Sequence, residues 1–224
     1  MNNSPATEQH YSKAVIEAGY DEVADAYLAW SAPRPTLTRA GYVGRLLEHL
    51  PKGAKVLELG CGAGVPSTQK LISGGMSVTG VDISGAQIAL ARKHVPEATL
   101  IHSDMMKLEF EQATFDAVVG FYSIFHLPKN EQGLMIERVQ MWLKKGGWFL
   151  CNFNSEEGEF VRENWLAPEV TMISAGLGVE GTREMFQKHG QLLTMVEDEV
   201  AVEKVGSMEE HFHWIFAQKR SHHQ

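Results

Sequence analysis

The sequence predicts an α/β fold: a doubly wound sheet, mostly parallel, with an antiparallel hairpin at its C-terminal edge. Three observations predict it. Between Lys55 and Phe153, short apolar strands alternate with amphipathic helices; that order builds a parallel sheet covered on both faces. The first strand runs into a glycine turn, Val56-Leu-Glu-Leu-Gly-Cys-Gly-Ala-Gly64. The tail then changes character and reads as two long strands with no helix between them.

Each element follows from local pattern. Met1 to Ser12 is polar and predicted to be poorly ordered. A helix begins near Lys13, with apolar residues at Ala14, Val15, Ala18, Val23, Ala26, Tyr27 and Trp30. Two prolines in Ser31-Ala-Pro-Arg-Pro35 break it. A second helix, Leu37 to Leu50, ends at Pro51-Lys-Gly53. The strand Lys55–Leu59 is followed by the helix Ser67–Ser73, which Gly74-Gly75 stops. Then come the strand Ser77–Val81, the helix Gly85–His94 with Pro96 beyond it, and the strand Thr99–His102. A fourth strand, Phe115–Phe121, precedes the helix Lys129–Leu143 and a fifth strand, Trp148–Phe153. Leu192–Val205 and His213–Gln218 are the hairpin strands, which brings the count to seven. After the fifth strand, before the next helix, 154–182 has no regular period, although Trp165, Leu166, Met172 and Ile173 are apolar there. A long irregular stretch of this kind reads as a substrate-binding element. The expected organisation is one domain, with 1–50 as a helical lid and 51–224 as the ligand-binding body.

Composition narrows the function. The chain is 44% apolar and 21% charged, ordinary values for a globular protein. A net charge of −8 repels phosphate backbones and argues against a nucleic-acid partner. Two cysteines, Cys61 and Cys151, make no disulfide scaffold and read as small core residues. No secretory leader is recognisable, and no apolar run reaches the ~20 residues of a membrane span. The expectation is a soluble, cytoplasmic protein with no membrane partner, monomeric or homodimeric.

The glycine turn carries the chemistry. Gly60, Gly62 and Gly64 follow G-x-G-x-G, not the G-x-G-x-x-G of a dinucleotide site. Without Cβ atoms the chain can bend sharply and let a ligand lie on its backbone. Glu58 stands two residues before the turn, and Asp82 about 18 residues after it, at the end of the second strand. That spacing suits an acid on a ribose diol; the same acid could instead cap the following helix. The pattern implies an adenosine-containing ligand and argues against pyrophosphate, hence against a nicotinamide dinucleotide.

From these residues the chain resembles the class I S-adenosylmethionine-dependent methyltransferases, over roughly 20–219. The glycine turn is similar to that family's first motif. Val81-Asp-Ile-Ser84 with Gln87-Ile88 resembles the second, His102-Ser-Asp-Met105 the third, and Phe115-Asp-Ala-Val-Val-Gly-Phe121 the fourth. Leu143-Lys-Lys-Gly-Gly-Trp-Phe-Leu150 resembles the stretch before strand five, usually L-K-P-G-G. Small-molecule members carry G-C-G-x-G-x-P and F-Y-S-x-x-H-L-P, which stand here as Gly60–Pro66 and Phe121–Pro128. The resemblance implies a Rossmann-like sheet, N-terminal helices as a lid, and S-adenosyl-L-methionine as cofactor, with S-adenosyl-L-homocysteine as product.

It also implies a site. Glu58, Gly60, Cys61, Gly62 and Gly64 would line the cofactor's turn, and Asp82 would take the ribose diol. Ser103, Asp104 and the Met105 main chain would meet the purine; Asp104 could equally be a loop cap. Ile83 and Met105 would wall the adenine, or Ile83 would be plain core. Carbonyls of Gly60 and Phe121 would hold the ammonium group. Tyr20 or Tyr27 would close over the amino-acid end, with Arg39 as another partner, unless the tyrosines only pack. Gln87 sits near the ribose or on a helix surface. His126 is the candidate base, or caps the next helix; Tyr122 orients substrate or packs on strand five. Trp30, Trp165, Met172 and Trp214 line an acceptor pocket or belong to the core. The expected acceptor is a small, aromatic or hydrophobic molecule. Thr171-Met-Ile-Ser174 departs from the M-Y-W-S of relatives, which suggests a roomier pocket. His211 and His213, two apart on a strand, lack a third ligand, so no metal is expected. A non-catalytic S-adenosylmethionine-binding subunit is the competing reading.

Overall fold

A computed structural model describes residues 12–31, 37–205 and 208–221. The polar run 1–11, most of the proline break and the last three residues therefore lie outside the described residues. The elements are α1 (Lys13–Glu22), α2 (Ala24–Ser31), α3 (Leu37–Glu48), β1 (Lys55–Leu59), α4 (Ser67–Ser73), β2 (Ser77–Asp82), α5 (Gly85–His94) and β3 (Thr99–His102). After them come β4 (Phe115–Gly120), α6 (Lys129–Trp142), β5 (Leu143–Asn154), β6 (Glu157–Arg162), β7 (Met172–Leu177), α7 (Gly178–His189), β8 (Leu193–Val205) and β9 (Met208–Lys219).

The large sheet has seven strands in the order β3-β2-β1-β4-β5-β9-β8. The first five are parallel, and β9 runs antiparallel to both β5 and β8. Strand order reverses outward from β1 and β4, so the crevice at their carboxyl ends is the topological switch point where ligands bind.

Alternating side chains point to opposite faces of a strand, and each face is buried under helices. Leu57, Leu59, Val118, Phe149 and Ile215 pack with Met135, Ile136 and Val139 of α6 and Phe186 of α7. Val56, Val119, Leu150 and Phe216 pack with Tyr42, Val43 and Leu46 of α3. The predicted doubly wound sheet is therefore the observed one.

Three predicted elements change. The first helix divides at Val23, which is buried and caps α1 by donating its N–H to Gly19 O. β5 starts at Leu143, absorbing the predicted helix end and the Gly146 turn (φ 75°). The irregular stretch 154–182 instead folds β6 and β7 into an antiparallel pair, in register from Glu157↔Leu177 to Arg162↔Met172. β6 reads Glu-Gly-Glu-Phe-Val-Arg, with Val161 half exposed, so little of it is apolar enough to announce a strand. Its stability comes from pairing with a partner ten residues away, which a local period does not report.

Candidate functional site

Two clefts meet at the carboxyl ends of β1, β2 and β4. The smaller encloses about 680 Å³ and is lined by strand-end residues together with Lys13, Ile16 and Tyr20 of α1. The larger encloses about 910 Å³ and is lined mainly by α1, α2, β7, β8 and β9. Tyr20, Tyr27, Tyr122 and His126 line both, as their common wall.

The floor of the smaller cleft is a strained turn. Gly60 has φ 76°, and a Cβ on it would lie 2.3 Å from Cβ of Ser123. Ser123 is fixed there by donating its Oγ hydrogen to Leu59 O at 2.6 Å. Only glycine fits both restraints. Gly62, with φ 52°, turns its N–H onto Asp82 Oδ2 at 2.8 Å. Ser84 N donates to the other oxygen at 2.9 Å. Two N–H groups thus fix the Asp82 carboxylate while each oxygen keeps a further lone pair for a ligand. Burial raises the Asp82 pKa, against the pull of those donors. The side chain of Gln87 is 1% exposed, and neither its amide oxygen nor its nitrogen has a protein partner. It lines the same cleft. Buried amides are normally paired, so this one is poised for a ligand.

Ile83, Ser103, Met105 and Phe121 complete that lining. Asp104 lines it too, yet is already engaged: Oδ1 accepts from Met106 N at 2.9 Å and Oδ2 pairs with Lys13 at 2.8 Å. The loop-cap reading therefore holds alongside the cleft position. Lys13 also reaches Glu131 at 2.8 Å, and Asp21, at the other end of α1, accepts from Ser84 Oγ at 2.6 Å and Ala86 N at 3.0 Å. Lys13 and Ile16 were not predicted, although with Tyr20 they occupy i, i+3 and i+7, one face of a helix.

Three predicted cofactor residues lie off this cleft. Glu58 is 2% exposed and accepts the Thr68 hydroxyl at 2.6 Å; burial pushes its pKa up to about 7. Glu58 and Cys61 line a narrow neighbouring cavity with Gly60, Gly62, Tyr27 and Arg39. The Cys61 sulfur is turned under the sheet, 2.9 Å from where a Gly80 Cβ would sit. Gly64 lines neither and lies against Val95. The turn needs its backbone conformation, φ 79°, rather than ligand contact there.

On the shared wall, His126 Nδ1–H donates to Ile173 O at 2.5 Å, and its Nε2 lies 3.0 Å from the Tyr20 hydroxyl. With Nδ1 donating, Nε2 is the acceptor for Tyr20 O–H. Burial lowers the His126 pKa to about 4 and raises that of Tyr20, so both are neutral at pH 7. Tyr122 has φ 53°, rare for a residue with a side chain. Its N–H is held by Asn152 Oδ1 at 2.7 Å, and its hydroxyl by both oxygens of Glu203 at 2.8 and 2.7 Å.

The larger cleft is lined by Trp30, Trp165 and Met172, with Arg39, Phe125, Asn154, Arg162, Glu203, Glu210 and Phe212. Tyr20, Tyr27, Trp30 and Trp165 contact one another at ring separations of 5.4 to 6.3 Å. Trp214 is a correction: it is fully buried, stacked on Tyr42 at 4.7 Å, and lines neither of these two clefts. His213 is buried against Asp198 at 2.5 Å, whereas His211 is exposed. Among the described residues no group of three or more metal-ligating side chains is placed to hold a metal, and no helix is long and apolar enough to cross a membrane.

Residues 56–147 match the family described as a methyltransferase domain. A sterol methyltransferase-like protein of Botryococcus braunii is 32% identical over 62% of this chain. A sterol 24-C-methyltransferase of Saccharomyces cerevisiae is 34% identical over 45% of it. The chain spans only 40% and 27% of those two proteins. Among solved structures, the 1,6-didemethyltoxoflavin-N1-methyltransferase of Burkholderia thailandensis, with 1,6-didemethyltoxoflavin and S-adenosylhomocysteine bound, superposes with a TM-score of 0.70. That match covers 98% of this chain and 93% of the other at 19% identity. The chain shares the fold of solved S-adenosylmethionine-dependent methyltransferases, and its residues 56–147 match the methyltransferase-domain family.

Proposed function

We propose that the chain is an S-adenosyl-L-methionine-dependent methyltransferase acting on a small, aromatic or hydrophobic acceptor. The observation that carries this reading is the wall of Tyr20, Tyr27, Tyr122 and His126 common to both clefts. A donor seated in one cleft thereby abuts an acceptor seated in the other.

The residues of the smaller cleft fit the cofactor. Asp82 accepts the ribose diol, and the unpartnered Gln87 amide gains a hydrogen-bonding partner beside it. Ile83 and Met105 give the adenine apolar faces, and Ser103 and Asp104 border its polar edge. Carbonyls of Gly60 and Phe121 take the ammonium group. Arg39, reaching the narrow cavity beside Gly60, takes the carboxylate. When bound, the cofactor supplies an electrophilic methyl group for in-line displacement.

The chain's share in the reaction is alignment and exclusion of water. His126 serves Tyr20 rather than the acceptor directly, because both its ring nitrogens are engaged and a group with pKa about 4 is a poor base at pH 7. It holds the Tyr20 oxygen on the shared wall, where a lone pair can receive a hydrogen bond from the acceptor. Nucleophiles that need little deprotonation suit this arrangement. The roomy second cleft favours catalysis over a purely cofactor-binding role.

Calorimetry tests the reading. S-adenosylhomocysteine should bind and NAD should not, and Asp82→Ala should weaken S-adenosylhomocysteine ~100-fold, the loss of two charge-assisted hydrogen bonds. Unchanged affinity in the variant would place the cofactor elsewhere.

A further inference from the structure

We propose that the acceptor carries a basic nitrogen on its aromatic or apolar frame, and that Glu203 anchors it; this rests on the methyltransferase reading above. Glu203 is 4% exposed and lines the acceptor cleft. Among the described residues the Tyr122 hydroxyl donates to both Glu203 oxygens, and the Trp214 ring N–H and the Arg39 charge also bear on it. A carboxylate offers about four lone-pair sites, so part of its capacity is open to the cleft.

The other charged groups in the cleft are committed. Arg162 pairs with Glu210 at 2.6 Å. Glu210 stands directly opposite Glu203 in the β8–β9 register, so the hairpin presents two acids side by side. Arg39 lies over the Tyr122 ring at 5.3 Å and also lines the cavity beside Gly60, where the cofactor's carboxylate claims it. Arg39 is the cation that bears on Glu203; shared with the cofactor's carboxylate, it would leave Glu203 under-compensated toward the acceptor. An anion there would meet a buried like charge, whereas a cation gains an ion pair out of bulk water. The ring faces of Tyr27, Trp30, Trp165 and Phe212 add attraction for a cation that a neutral or anionic ligand lacks.

The approach to the cleft has the same sign. Asn154, Arg162, Ser174, Glu210 and Phe212 also border an outer hollow. That hollow adds Glu156, Glu159 and Glu209, against His211 as its further basic side chain. Acid-lined entrances concentrate cations and speed their capture.

Tryptamine and indole-3-propionate share a ring and chain length and differ in the sign of their charge. Their binding to the full chain, saturated with S-adenosylhomocysteine, is measured by calorimetry at pH 7.5. Tryptamine should bind at least ~10-fold more tightly. Glu203→Gln should bring the two within about threefold, with S-adenosylhomocysteine affinity unchanged as evidence that the variant is folded. Equal binding, tighter binding of the anion, no binding of either, or a preference that survives Glu203→Gln would overturn the proposal. Failure of S-adenosylhomocysteine itself to bind would instead sink the underlying methyltransferase reading. If Glu203→Gln does not fold, Tyr122→Phe keeps the charge and should keep the tryptamine preference; its loss would overturn the proposal as well.

Discussion

In the smaller cleft, the proposed cofactor site, most lining groups come from strand ends and the turns that follow them, between Gly60 and Leu127. In the larger, the proposed acceptor site, they come from Tyr20 through Phe212, carried by helices and strands that meet only in the folded chain. The first cleft is floored by a backbone turn and carries the Asp82 and Asp104 carboxylates and the Gln87 amide; the second gathers residues far apart in sequence. A main-chain site constrains sequence at fixed spacing, because turn geometry dictates where glycine and the acid must stand. A side-chain site can be assembled in many ways on one scaffold, so it varies with the substrate.

The largest expected effect tests which tryptophans belong to which region. Trp214→Ala should cost about 3–5 kcal/mol of stability by leaving a cavity under the sheet, read by chemical denaturation, with KM for acceptor little changed. Trp30→Ala should do the reverse. A Trp214 variant that stays stable but loses acceptor binding would move that ring back into the cleft.

The shared wall gives the next effect, through pH. Burial keeps His126 neutral down to about pH 4, whereas in the unfolded chain it takes up a proton near pH 6.5. The contribution of the neutral ring is therefore full above that upper value and is lost as pH falls through the window. The loss is up to about 3 kcal/mol. His126→Asn removes it, so the stability gap between wild type and variant should shrink by that amount over the window. A gap that stays constant would mean the ring accepts its proton without leaving its site.

Tyr20→Phe is the smallest and most discriminating change. Losing the hydroxyl should lower kcat ~10-fold and leave S-adenosylhomocysteine affinity within about threefold. An equal loss in both would assign Tyr20 to the cofactor alone.

The same contrast explains what could be read in advance. The meeting of the Gly60–Gly62 turn with Asp82 was legible because the turn ends one strand and the acid ends the next, and adjacent parallel strands bring their ends together. Gly64 belonged to that pattern yet serves the turn against Val95, since spacing alone does not separate a glycine that touches ligand from one that makes room for a neighbour. Trp214 sits on β9 among apolar neighbours, and which face of a paired strand looks at the core is set by its partners. Nothing in the local sequence separates Glu203 and Glu210 from surface charge on a hairpin. Only the β8–β9 register, with β7 and α2 packed opposite, turns them toward a cavity. The β6–β7 pair, whose Ile173 carbonyl orients His126, was invisible for the same reason.

α1 is pinned over the cofactor cleft at both ends, by Lys13 on Asp104 and Glu131 and by Asp21 on Ser84 and Ala86. Its buried residues are only Ile16 and Gly19. A helix fastened this way is held partly by charge, so we expect added salt, which screens the Lys13 pairs, to weaken its hold on Asp104 and Glu131 and with it the seating of the Tyr20 hydroxyl on His126.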